Sequence, residues 1–144
     1  VDTRVSNFRD WGIQLGRRFR ALKLWLLIRD QGVEGLRARL RRDLENAVWL
    51  GDEVARAPHW HVVAPVALQT VCVRHEPPGM EAADVDAHNL AWADRLNASG
   101  FAYLTPTVVK GRRIVRVSIG AEGTERRHVE ALWREMRRLA EERG

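Results

Sequence analysis

His59 and His61 stand two residues apart in a β-rich stretch and would share one face of a strand, with His75 the next imidazole along the chain. Two imidazoles begin a metal site, but a centre needs a third ligand, and apart from His75 the neighbourhood supplies none. These residues therefore read as a polar strand end, and no metal ligand is assigned. His88 and His128 fall on helical stretches and read as surface or edge residues. Cys72 is the single cysteine and lies mid-strand, where it is expected to be buried and inert. No intrachain disulfide or Cys-rich zinc module can form. Only Lys23 and Lys110 are available as amines. No glycine-rich loop joins a strand to a helix in a dinucleotide or P-loop pattern. The carboxylates lie mostly near arginines at helical spacing, as weak surface ion pairs do. These residue types complete no active site, so no catalytic residue is assigned from them.

The elements that would position these groups follow from periodicity and breakers. Residues 1–13 read as an extended lead-in with a bend at Gly12. Apolar positions 15, 19, 22, 25, 26 and 28 predict a helix from Leu15 to Arg29, interrupted at Gly32. A second helix is predicted from Val33 to Ala55, with Leu36, Leu40, Leu44, Ala47, Val48 and Gly51 as its inner stripe. Pro58 ends it. Residues 59–64 and 67–75 read as a short antiparallel strand pair. Pro77, Pro78 and Gly79 break the chain before a helix from Ala82 to Ala98, with Val85, Trp92, Ala93 and Leu96 inward. Residues 101–109 and 112–119 flank Lys110-Gly111, a hairpin turn signal. Val115, Val117 and Ile119 point to one side and Arg116 and Ser118 to the other. Thr124 is placed as the cap of a last helix whose stripe is Val129, Leu132, Trp133, Met136, Leu139 and Ala140. Trp25, Trp92 and Trp133 sit on apolar stripes. The expected architecture is an α/β two-layer domain, an α+β antiparallel sheet of about four strands covered by helices and preceded by two long helices.

The balance of 45% apolar and 30% charged residues over 144 positions is that of a globular domain. No apolar run is long enough to span a membrane, and VDTRVSNFRD lacks the core of a signal peptide. A cytoplasmic location is expected. The chain opens on Val1 rather than Met, so it is expected to be processed or cut from something longer. The net charge is +5, and the excess sits early: residues 1–50 hold 11 basic and 6 acidic side chains. Arg17, Arg18, Arg20 and Lys23 interleave with Leu15, Phe19, Leu22 and Trp25, which fits a helix docked along one side better than a nucleic-acid patch. A stand-alone α/β module that binds protein or nucleic acid through basic helices stays open as an alternative.

The run from Asn7 to Trp25, NFRDWGIQLGRRFRALKLW, closely resembles a stretch of the pyridoxal-phosphate-dependent group II decarboxylases, above all the aromatic-L-amino-acid decarboxylase branch. Arg29 to Leu36, RDQGVEGL, is similar to the family's R-x-x-G-V-x-G-L. The runs Tyr103 to Thr107 and Arg113 to Ile119 look like its last strand pair. The R-R-F-R run leans away from the glutamate enzymes, a sister branch kept as a narrower alternative.

The resemblance implies the C-terminal small domain of a fold-type I enzyme. Residues 1–30 would be an arm and helix that pack on a PLP-binding large domain, and 31–144 the small domain itself. The family's Schiff-base lysine follows a histidine; neither Lys23 nor Lys110 does, and Lys23 matches a different family lysine. Pyridoxal 5'-phosphate is thus implied for the intact enzyme and none for this chain alone, which is expected to be inactive. Its implied part is to wall the cleft for an amino-acid substrate and to support a homo-oligomer. The family position that lines the side-chain end of that cleft is Gly16 here, which leaves room for an aryl group and offers no hydroxyl. Gly16 could equally do no more than open the first helix.

Overall fold

The computed structural model describes residues 19–142. The elements run α1 (Arg20–Arg56), β1 (Trp60–Val62), β2 (Thr70–His75), α2 (Ala82–Ala98), β3 (Thr105–Val109), β4 (Arg112–Ser118) and α3 (Arg126–Glu141). The chain divides into two compact units, Val1–Arg37 and Ala38–Gly144.

In the first unit the described residues are the opening of α1 as far as Arg37. Gly32 breaks this helix at φ 68 and ψ 167, a backbone that L side chains resist. The expected interruption is therefore present, but the two expected helices are one helical run with a kink. The expected start at Leu15 lies outside the described residues. Trp25, placed on an apolar stripe by the sequence, is 55% exposed here, with the Arg29 guanidinium 5.6 Å from its ring centroid.

The second unit is a four-stranded antiparallel sheet in the order β1-β2-β4-β3. Val71 and Val73 of β2 lie opposite Val117 and Val115 of β4. Their side chains join Ala47, Leu50 and Val54 of α1, Leu96 of α2, and Met136 and Leu139 of α3 in one core. At its centre Trp60 meets Trp92 and Trp133 edge-on, with ring centroids 5.5 and 5.0 Å away. Edge-to-face rings satisfy the aromatic quadrupoles. On the opposite parity of the strands, Arg116 and Ser118 are exposed and Thr70 Oγ1 lies 3.2 Å from Ser118 Oγ. Cys72 shares that parity and is half-buried, where full burial was expected.

The hairpin between β3 and β4 turns at Lys110 (φ 50) and Gly111 (φ 75), the paired left-handed conformation of a two-residue turn. Pro106 is accommodated because β3 is an edge strand. Three strands start later or end sooner than expected: β1 covers only Trp60–Val62, β2 begins at Thr70 and β3 at Thr105. The N-cap of α3 is Glu125, not Thr124. Its side chain accepts the backbone N–H of His128, and the His128 ring in turn accepts the Glu125 N–H, a reciprocal pair that Thr124 could not complete. The inner stripe of α1 is also rotated from the expected one. Asp43, Asn46, Ala47, Leu50, Gly51 and Val54 are buried, whereas Leu40 and Val48 are half exposed.

Candidate functional site

The densest polar chemistry lies where β2 and β4 part. Their ladder ends at Val73 opposite Val115. Two residues further, His75 would face Arg113 as the next hydrogen-bonded rung. Side chains take the place of that rung. Asn89, fully buried on α2, accepts the His75 N–H at 2.9 Å and donates to the His75 carbonyl at 2.7 Å. The same amide donates to the Val85 carbonyl and accepts from the Trp92 indole. All four hydrogen-bonding positions of the Asn89 amide are filled, as burial demands. On the other side of the split, Asp86 accepts the Arg113 N–H and the Arg74 guanidinium donates to the Arg113 carbonyl. Asp86 and Asn89 are three residues apart, hence on one face of α2.

Arg74 is almost wholly buried and is paired with two acids, Glu76 at 2.8 Å and Asp86 at 2.5 Å. A buried guanidinium needs such partners. Arg112 reaches Glu76 from β4, and His61 lies 3.5 Å from its other oxygen. Burial by itself raises the Glu76 carboxyl, but the Arg74 hydrogen bond and the charges of Arg112 and His61 outweigh it and hold the group below the usual carboxylate range. The Arg74 hydrogen bond holds Asp86 low as well. Beside these groups opens a cleft of about 670 Å³ between Arg74, Glu76, Met80, Asp86 and Arg112.

His75 completes the cluster. Its ring stacks on Trp60 at 4.7 Å, and its Nδ1 lies 2.9 Å from Nε2 of His88, so one ring donates and the other accepts. Desolvation first, then the nearby His88, His59 and His61, lower its pKa to about 4. The ring is therefore neutral at pH 7. With both acids held ionised and this imidazole held neutral, the cluster is equipped to bind strand to helix, not to pass protons near neutrality.

The residues singled out in the sequence are dispersed. His59 precedes β1 in a left-handed conformation (φ 64), so it does not share a strand face with His61. Among the described residues no group of three or more His, Cys, Asp or Glu could hold a metal. Gly16 lies outside the described residues. The sequence reading missed Asn89 and Asp86. The available signal was position 89 itself, which falls on the apolar stripe of Val85, Trp92 and Leu96, where an asparagine is a poor helix former and must have partners.

Comparison with known proteins places this architecture. The model of the pyridoxal-dependent decarboxylase conserved domain matches residues 3–76. The chain belongs to the pyridoxal-dependent decarboxylase family. Tryptophan decarboxylase 2 of Oryza sativa subsp. japonica is 37% identical over 133 residues, which are 92% of this chain and 27% of that protein. Aromatic-L-amino-acid decarboxylase of Catharanthus roseus is 32% identical over 139 residues, 96% of this chain and 28% of its own length. The crystal structure of Oryza sativa TDC with PLP and tryptamine superposes with a TM-score of 0.80 at 33% identity, over 94% of this chain and 29% of that one. Mouse CSAD, at 20% identity and a TM-score of 0.80, shares the fold. The chain thus spans less than a third of the length of these relatives.

Pyridoxal phosphate requires an amine to hold it and a partner for its ring nitrogen. Lys23 and Lys110, both exposed, are the only lysines in the chain, and neither lines the cleft beside Arg74. The described residues do not fit the cofactor, so no step of its chemistry is routed through them.

Proposed function

We propose that this chain is the C-terminal portion of a pyridoxal-phosphate-dependent decarboxylase of aromatic L-amino acids, cytoplasmic and inactive on its own. In that enzyme residues 1–30 form an arm and helix against a large cofactor-binding domain, and residues 31–144 are the small domain that walls the substrate cleft and supports a dimer. The observation that carries this reading is the 37% identity to a tryptophan decarboxylase over 92% of the chain. The character of α1 supports it. Leu22, Leu24, Trp25, Leu26, Leu27, Ile28 and Val33 are 37–58% exposed, an apolar surface of the kind that marks a protein interface. When bound, the cofactor supplies the electron sink for loss of carbon dioxide. On this reading Gly16 shapes the far end of the cleft, leaving space for an indole or phenol ring.

The test is made in the longer protein that carries this chain, with the substitution Gly16→Ser. A hydroxyl at that position should move the ratio of kcat/KM between tryptophan and tyrosine toward tyrosine, by about tenfold. An unchanged ratio would remove Gly16 from the cleft. Failure of the longer protein to release carbon dioxide from any aromatic amino acid would remove the decarboxylase reading itself.

A further inference from the structure

Two glycines, Gly32 and Gly35, stand in α1 ahead of its buried face, and the chain treats them differently. Gly35 is helical. Gly32 has φ 68 and ψ 167, a conformation that a residue with a Cβ enters only under strain. Helical turns nevertheless stand on both sides of it, back to Arg20 and on to Arg56. The usual causes of a bend do not force this one. α1 holds no proline. A Cβ built at Gly32 would meet no atom within 4 Å, so no neighbour wedges the helix open. Arg29, Asp30, Val33 and Glu34 are exposed, and water can take the amides and carbonyls that a broken turn releases. The first buried residue of α1, Asp43, comes about three turns later.

We infer that Gly32 is a two-state joint in α1, at which the chain passes between the bent backbone and a straight helix. Only glycine serves both states. It adopts φ 68 without a steric penalty, and it is among the residues least favoured inside a helix, which brings the straight state closer in energy to the bent one. A residue with a Cβ would gain in the straight state and lose in the bent one, and one state alone would remain.

The use of such a joint rests on the reading proposed above. With residues 1–30 held on a large domain, a change of backbone at Gly32 swings the small domain as a body, and so opens and closes the cleft that it walls. Domain closure of this kind turns on a few residues that absorb the change in φ and ψ.

Spin labels at Lys23→Cys and Val48→Cys, in a chain that carries Cys72→Ser, read the state as a distance. Both positions are exposed on α1. A straight helix sets them about 37 Å apart, and the bend brings them closer. The expected result is two distances with Gly32 in place and one, the longer, in Gly32→Ala, the bent fraction falling by about thirtyfold or more. Gly35→Ala, whose Cβ would meet Gln31 Cβ at an ordinary 3.5 Å, should keep both distances. A single distance with Gly32 in place, or a Gly32→Ala chain that stays bent, would overturn the joint. The labelled chain with Gly32 decides the matter even where a variant does not fold. In the longer protein Gly32→Ala should lower kcat severalfold and Gly35→Ala should leave it unchanged. An unchanged kcat in Gly32→Ala would overturn the swing. A longer protein that decarboxylates no aromatic amino acid would remove the proposed reaction instead, and the distances would still judge the joint.

Discussion

The opening of α1 carries more large apolar residues than the whole of α2, yet it leaves them exposed while α2 buries most of its own. From Phe19 to Ile28 the large apolar side chains are 37–72% exposed. In α2, Val85, Trp92, Ala93 and Leu96 are at most 5% exposed. Hydrophobicity alone does not separate the two helices. The difference lies in fixed polar neighbours: α2 carries Asn89, which clamps His75, and Asn97, which donates to the Leu104 carbonyl and accepts its N–H at 2.7 Å. A helix whose amides satisfy the backbone at both ends of the sheet is held in one register, and its apolar residues are then buried at defined positions. Over the first turns of α1, from Phe19 to Ile28, the apolar side chains stay largely exposed.

The sharpest way to break this contrast is to truncate one tryptophan from each helix. Trp92→Ala should cost about 4 kcal/mol, because a fully buried indole leaves a cavity beside Trp60 in the core. Trp25→Ala should change stability by less than about 0.5 kcal/mol. Urea titrations of both variants, followed by circular dichroism, check the pair. A costly Trp25→Ala would mean that the first turns of α1 are integral to the fold of this chain.

Much of this architecture was legible in the sequence. Periodicity located all three helical regions and both hairpin partners, and Lys110-Gly111 and Gly32 marked their breaks correctly because each needs a left-handed backbone. The buried face of α1 was legible only in part: Ala47 and Gly51 of the expected stripe are buried, whereas Leu40 and Val48 are not. Reading Leu36, Leu40, Leu44 and Val48 as the inner stripe assumes that polar residues face out, and Asp43 and Asn46 violate that assumption. The polar cluster was hidden for a different reason. His75, Asp86, Asn89 and Arg113 come from three elements, and only the divergence of β2 from β4 brings them together. Gly16, the one residue assigned to a substrate cleft, rests on its motif alone.

The next effect in size tests the clamps. Asn89→Leu would strand the His75 N–H and carbonyl and the Trp92 indole N–H in the core, and should cost about 3 kcal/mol. Asn97→Leu, at a less buried site, should cost about 1 kcal/mol, since water can replace part of what is lost. Thermal unfolding of the two variants, compared at one pH above 6.5, gives the difference without the contribution of the His75 proton. Equal losses would show that the split in the sheet has no greater need of its amide than the loop before β3.

The smallest effect has the opposite sign. Asp43 and Asn46 are 1% and 2% exposed, and Asp43 Oδ1 and Asn46 Nδ2 have no hydrogen-bond partner among the described residues. Where Asn89 repays its burial with four bonds, these atoms carry a desolvation cost without the matching gain. Replacing such a group by an apolar one of similar shape removes the cost, so Asn46→Leu should raise stability by about 1 kcal/mol. Asp43→Leu should act in the same direction, and the two gains should fall short of additive because the residues adjoin on one helix face. Denaturant midpoints of the two single variants and the double variant test this. A loss in Asn46→Leu would mean that its amide is satisfied in solution, and the contrast between polar residues that secure the fold and those that burden it would then apply to Asp43 alone.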